Sequence, residues 1–135
     1  MATLTPTLTL TSTDISASET LNLTLTDALT VNGPVITKRV AVDSGAGNLE
    51  TANIILAAAT YSKSYVLLYN TSTAASGEII TIGESTNTDG VLEQINMSLS
   101  PGEWAFFPWE SSIDLVADAS SGAPVLEARL FQMDA

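Results

Sequence analysis

The chain has 135 residues, a length that suits one domain and is enough to bury a core without covalent cross-links. Its 15 acidic and 4 basic residues give a net charge of −11. This balance disfavours direct binding to nucleic acid or to an anionic membrane, because both select basic side chains. The chain has no cysteine and no histidine, which excludes disulfides, thiolate nucleophiles, imidazole bases and Cys/His zinc sites.

The N-terminal region alternates leucine with threonine in two runs. The apolar residues of the first run are Leu4, Leu8 and Leu10. After the polar break STDISASE the alternation returns over residues 21–31, and such period-two patterns are typical of half-buried strands. The two runs are expected to pair as a hairpin, or else one of them lies on a neighbouring subunit. Because Pro6 interrupts the ladder, residues 1–12 are predicted to form an N-terminal arm or edge strand. The start also lacks the basic and continuous apolar segments of a secretory signal.

The rest of the chain predicts a series of short strands. Asn32-Gly33-Pro34 is a turn signal, because Gly accepts a positive φ and Pro cannot continue a ladder. Residues 49–60 are compatible with two helical turns, but their Ile-Ile-Leu centre favours a strand, and SYVLLYNTS predicts a buried strand. Roughly nine or ten strands, spaced about 8 to 12 residues apart, predict a single all-β domain over residues 1–135. A β-sandwich is expected, with a jelly roll as the first choice.

The stretch PGEWAFFPWE, residues 101–110, contains both tryptophans and two of the three phenylalanines. If it is a strand, Trp104 and Phe106 point one way while Phe107 and Trp109 point the other. Both faces are therefore apolar, although an ordinary single-sided core needs only one of them. The second face is expected to pack either under a loop of the same chain or onto another polypeptide.

The prolines of this stretch indicate its place in a sheet. Pro101-Gly102 predicts a tight turn, and Pro108, which cannot donate to a ladder, predicts a sheet edge or a strand end. If the chain assembles, Trp109 is expected to support assembly and not the monomer fold. The candidate interface residues are Leu4, Leu8, Leu10, Trp104, Phe106, Phe107 and Trp109.

The acidic residues suggest two chemical sites, and both fail on spacing. Glu103 and Glu110 bracket the aromatic stretch, but along one strand they would be about 23 Å apart, too far to act as a glycosidase pair. Residues 84–96 resemble the middle of a calcium loop, yet Ser85 and Asn96 stand where carboxylates are needed, so a turn is the better interpretation. We therefore expect no enzymatic activity, and no catalytic, cofactor-binding or metal-binding residues.

The layout resembles that of small virion proteins of tailed bacteriophages, through TLTPTLTLTSTD, LNLTLTDAL, YVLLYNTS and LSPGEWAFFPWE. It is similar to capsid decoration, or cement, proteins, which are commonly β-sandwiches that sit outside the head and clamp major capsid subunits, often as trimers. The resemblance implies that the segments Trp104 to Trp109 and Thr3 to Thr11 are contact surfaces. It also implies that the partners are further copies of the chain and the major capsid protein, and that the protein is made in the host cytoplasm and ends on the capsid surface. The alternative is a tail or fibre module that stacks host glycans on Trp104 or Trp109.

Overall fold

A computed structural model describes residues 2–16, 19–32, 35–44, 53–85, 92 and 94–133. These residues form strands, turns and irregular segments, with no helix among them. The described part of the chain thus contains no helix with the length and apolar character of a membrane span. The strands are β1 (Ala2–Leu4), β2 (Thr7–Ser16), β3 (Glu19–Thr26), β4 (Leu29–Val31), β5 (Ile36–Ala41), β6 (Asn53–Leu56), β7 (Ser64–Asn70), β8 (Ile80–Ser85), β9 (Gln94–Leu99), β10 (Trp104–Trp109), β11 (Asp114–Ala119) and β12 (Val125–Gln132).

Eight of these strands form two four-stranded antiparallel sheets. The first sheet has the order β10-β7-β12-β5, and the second has the order β6-β11-β8-β9. From β5 onward, consecutive strands change sheet at every step except the β8–β9 pair, so the chain passes repeatedly across the core. The predicted all-β sandwich is confirmed, and this strand order is compatible with the predicted jelly roll.

The core lies between the two sheets and follows the alternation of side chains along each strand. On β7, Val66 and Leu68 are fully buried while Tyr69 is exposed. The prediction that SYVLLYNTS is a buried strand is therefore right for only one of its two faces. The other large, fully buried apolar residues of the same core are Val42, Ile55, Leu56, Ile80, Ile82, Leu115, Leu126 and Leu130.

Asn70, at the end of β7, connects the two sheets by hydrogen bonds. It is fully buried, and its side-chain amide donates to the carbonyls of Glu78 and Leu99, both at 2.9 Å. Its backbone amide donates to the carbonyl of Glu103, and its carbonyl accepts from Gly102, both at 3.0 Å. A buried polar group satisfied in this way holds its surroundings in one arrangement, because losing any partner would leave an uncompensated dipole. This fixes the turn that leads into β10.

The N-terminal strands lie outside the two main sheets. β1 pairs with β4, whose Leu29 and Val31 are buried, and Val31 bridges to Met133 just beyond β12. β2 pairs with β3 in a two-stranded sheet. Of the two arrangements predicted for the leucine-threonine runs, the structure shows the hairpin. The base of this region is thus attached at one end of the first sheet.

Candidate functional site

Strand β10 has one core face and one outer face, as its sequence predicts. Trp109 is 5% exposed, belongs to the core and donates its indole N–H to the carbonyl of Ile113 at 3.1 Å. Phe107 packs against the same core. Trp104, on the opposite face, is 58% exposed. The outer face of β10 is therefore the one available to a partner.

The turn and the proline of this strand lie where the sequence predicts. Gly102 has a φ of 79°, a left-handed conformation that favours glycine, and it completes the tight turn after Pro101. The Glu103 carboxylate accepts a hydrogen bond from the Ser100 amide at 2.7 Å, which closes the turn. Among the described strands, β10 lies at the edge of its sheet and pairs with β7 alone, so the missing N–H of Pro108 weakens no central ladder.

The outer face of the first sheet carries a cluster of aromatic side chains. Phe106 stacks on Tyr65 with ring centroids 5.3 Å apart, and it meets Phe131 edge-on at 6.3 Å. Trp104 lies opposite Tyr69 in the β10–β7 register, and both are exposed. We call this surface the aromatic face; its residues are Tyr65, Leu67, Tyr69, Trp104, Phe106 and Phe131. It joins three strands of one sheet into a continuous apolar surface.

The β2–β3 hairpin has a second apolar surface, which we call the leucine face. Leu8 lies opposite Leu25, and Leu10 lies opposite Leu23. Residues opposite each other in an antiparallel pair point to the same side, so all four leucines share one face. They are 38% to 56% exposed. Threonines fill the alternate positions, as in half-buried strands, but none of the described residues covers the leucine side.

The two apolar surfaces meet in a groove of about 330 Å³ at the base of the hairpin. We call it the aromatic groove; its lining residues are Leu4, Pro6, Thr7, Leu8, Leu67, Trp104, Phe106 and Phe131. None of these side chains carries a charge. Pro6 ends the short β1 segment before β2 begins, so the chain changes direction beside the groove.

The predicted interface residues lie in three places. Four of them, Leu4, Leu8, Trp104 and Phe106, come together in the aromatic groove. Leu10 lies farther along the hairpin on the leucine face. The two remaining candidates, Phe107 and Trp109, face the core, so the expectation that Trp109 supports assembly and not the monomer fold is corrected by its burial. A side chain already enclosed by its own fold offers little area to a partner.

The basic residues of this acidic chain concentrate on or beside the first sheet. Arg39 and Arg129 are exposed on strands β5 and β12, and Lys63 immediately precedes β7. Arg129 forms an ion pair with Glu127 at 2.9 Å. Glu127 in turn lies opposite Arg39 in the β12–β5 register. Charged side chains of both signs therefore border the aromatic face, whereas acidic residues dominate the chain as a whole.

The two glutamates that bracket β10 each have a local partner. Glu103 closes the turn before the strand. Glu110 forms an exposed ion pair with Lys63 at 2.7 Å, and this hydrogen bond and charge raise the pKa of Lys63 above its ordinary value of 10.5. Buried Asp114 accepts a hydrogen bond from the Ala58 amide. Each of these carboxylates thus takes part in local structure.

Acidic side chains occur in many places among the described residues. There, no cluster of three or more acidic side chains has the geometry to hold a metal ion. Most of the calcium-like stretch, residues 86–91 and 93, lies outside the described residues, as do Gly33 and Pro34 of the predicted turn.

Four residues of the aromatic face were not among the predicted interface residues. Tyr65, Leu67 and Tyr69 lie on the outer side of β7, and Phe131 lies on the outer side of β12. The signal was present, because the run Tyr65 to Tyr69 is apolar on both faces, like β10. Such a strand predicts a second apolar contact wherever it lies in the sheet.

Comparisons with family models, with curated proteins and with solved structures find no match to this chain.

Proposed function

We propose that this chain is a non-enzymatic structural protein of a bacteriophage virion. On this proposal it is a decoration protein that binds the outside of the head as a homo-oligomer and bridges major capsid subunits. The observation that carries the proposal is the aromatic face, which joins an exposed tryptophan to a stacked Tyr65–Phe106 pair on the outside of a sandwich that already has its own core. Aromatic residues dominate the energetics of protein interfaces, and an exposed apolar surface of this kind marks a contact site.

The mechanism is burial of apolar surface, repeated over a symmetric shell. If each copy removes about 400 Å² of apolar surface from water, the gross gain is about 10 kcal/mol, before the cost of association is subtracted. One such contact is modest, but the shell repeats it at every equivalent position. A bridging protein thus opposes separation of the subunits that it joins.

The acidic charge supports an outward-facing position. A net charge of −11 on a 135-residue chain gives the remaining surface a strong negative potential. Particles covered with such a surface repel one another and stay dispersed. The charged side chains of both signs around the aromatic face let that face approach a partner without the same repulsion.

Co-sedimentation with expanded heads that lack this chain tests the proposal. The wild-type protein should pellet with the heads at on the order of hundreds of copies per particle. Trp104→Ala should reduce the bound fraction, while Ile95→Ala should leave it unchanged, because Ile95 is equally exposed at 58% but lies on β9 of the opposite sheet. Wild-type protein that stays in the supernatant contradicts the proposal, and a stoichiometry of about a dozen per virion points to the tail.

A glycan-binding module of a tail or fibre is the second candidate, and the position of Trp104 favours it. An exposed indole on an edge strand, with Tyr69 opposite, offers a flat apolar platform on which a sugar ring can stack. A glycan array probed with the isolated protein distinguishes the two functions. Binding to particular glycans that Trp104→Ala abolishes, without head binding, supports this second candidate.

A further inference from the structure

The leucine face is an apolar surface that the monomer leaves uncovered. A two-stranded hairpin is marginally stable in water unless a further element packs on it. Here the four leucines of β2 and β3 are 38% to 56% exposed, although their register presents them as one compact patch. The hairpin therefore gains stability from any partner that covers this side.

The aromatic groove is an uncovered concave surface on the same chain. The groove lies between the hairpin base and the first sheet, and its volume is about 330 Å³. Apolar side chains and one threonine line it. Leu8 belongs to both surfaces, so the leucine face continues into the groove edge. The remaining leucines, Leu10, Leu23 and Leu25, are not part of the groove lining and stay exposed.

Charge selects which surfaces two copies can bring together. Copies that each carry −11 repel one another, so a contact between them is favoured where charge is absent. Residues 2–13 and 20–26 contain no charged side chain, and neither does the groove lining. Joining these two surfaces would bury no unpaired charge, which is the main cost of an interface in such an acidic chain.

We propose that the leucine face of one copy docks in the aromatic groove of a second copy. This inference rests on the proposed function, because it names the self-contact of that assembly. The two surfaces differ, so the contact is heterologous: each copy contributes one leucine face and one groove. A head-to-tail series of such contacts forms a ring where the rotation between copies closes, and a filament where it does not. The trimer implied by the resemblance is one such ring.

Sedimentation velocity on the full chain, with two variants and one control, tests the contact. Leu10→Thr with Leu23→Thr removes the leucine face while keeping a residue that is already common in this hairpin. Trp104→Asp places a charge at the groove. Ile95→Thr is the matched control, because it removes an equally exposed apolar side chain from the other sheet.

The wild-type chain should associate as its concentration rises from about 1 µM to about 1 mM, and each interface variant should weaken association by about tenfold or more. Ile95→Thr should associate as the wild type does. A mixture of the two interface variants should form one-to-one pairs, because one variant keeps an intact groove and the other keeps an intact leucine face. Circular dichroism confirms that each variant is folded, and Leu25→Thr replaces the double variant if that one unfolds.

Three results would overturn the inference: a wild-type chain that stays monomeric over this range, a control that associates as weakly as the interface variants, or a mixture that does not pair. The proposed function is judged separately by head binding. A monomer that coats heads overturns this inference and keeps the function, whereas a ring that ignores heads keeps the inference and overturns the function.

Discussion

Trp104 and Trp109 are the same side chain on the same strand, in opposite environments. Trp109 follows Trp104 by five positions, and this odd offset places one indole on the outer face and the other in the core. Trp109 has its N–H satisfied by Ile113 and its ring enclosed by the sandwich. Trp109 therefore contributes to the free energy of folding, whereas most of Trp104 stays in water and contributes little to it.

Replacing each tryptophan by alanine should separate these contributions. Trp109→Ala should lower the free energy of unfolding by about 3 to 5 kcal/mol, through the lost burial and the cavity left behind. Trp104→Ala should lower it by less than about 1 kcal/mol, because much of that ring is already in water. Urea unfolding monitored by circular dichroism measures both midpoints. Equal losses for the two variants would contradict the assignment of the two faces.

At the scale of elements, strands β8 and β9 approach so closely at one point that only glycine fits. A Cβ added to Gly83 would collide with the carbonyl oxygen of Gln94 and with the side chain of Leu92. The pairing register shifts beside this glycine, between Ile82 and Gly83. A side chain here must push the strands apart, because backbone atoms cannot rotate away as a flexible side chain can.

Gly83→Ala should therefore destabilise the protein by about 1 to 3 kcal/mol through overpacking. Hydrogen exchange should locate the damage in the amides of β8 and β9. Gly77→Ala is the matched control: Gly77 has a positive φ of 66° but open space around it, so its cost of about 1 kcal/mol is local strain in its own turn. Unchanged exchange in β9 for Gly83→Ala would show that the strands do not need this close approach.

At the scale of the whole molecule, charge and apolar surface act in opposite directions on assembly. If copies associate as proposed, the net charge of −11 opposes their contact, whereas burial of the aromatic groove and the leucine face favours it. Self-association through uncharged surfaces is therefore a balance that solution conditions can shift.

Added salt should strengthen self-association. Raising NaCl from about 20 mM to about 500 mM shortens the Debye length from roughly 20 Å to roughly 4 Å, which screens repulsion between copies and leaves apolar burial intact. Sedimentation equilibrium at the two salt concentrations measures the association constant. If association weakens instead, the contact is ionic and joins Arg39 or Arg129 of one copy to acidic groups of another.

Local patterns in the sequence predict the all-β class, most of the strands and the two-sided character of β10, because side-chain alternation depends on neighbouring residues. It also predicted the turn at Pro101-Gly102 and the edge position of Pro108, since both follow from allowed backbone angles and missing donors. The four groove residues among its interface candidates were found for the same reason: each lies in an alternating or doubly apolar run.

Which apolar face of a strand belongs to the core depends on how the two sheets pack, and no local pattern predicts it. Alternation places Trp104 and Phe106 on one face and Phe107 and Trp109 on the other. Because both pairs are apolar, it does not predict which face is buried. Burial depends on where the opposing sheet packs: it covers Trp109 and leaves Trp104 in water. Long-range pairing also brought Leu67 and Phe131 beside Phe106, a neighbourhood that no local pattern contains.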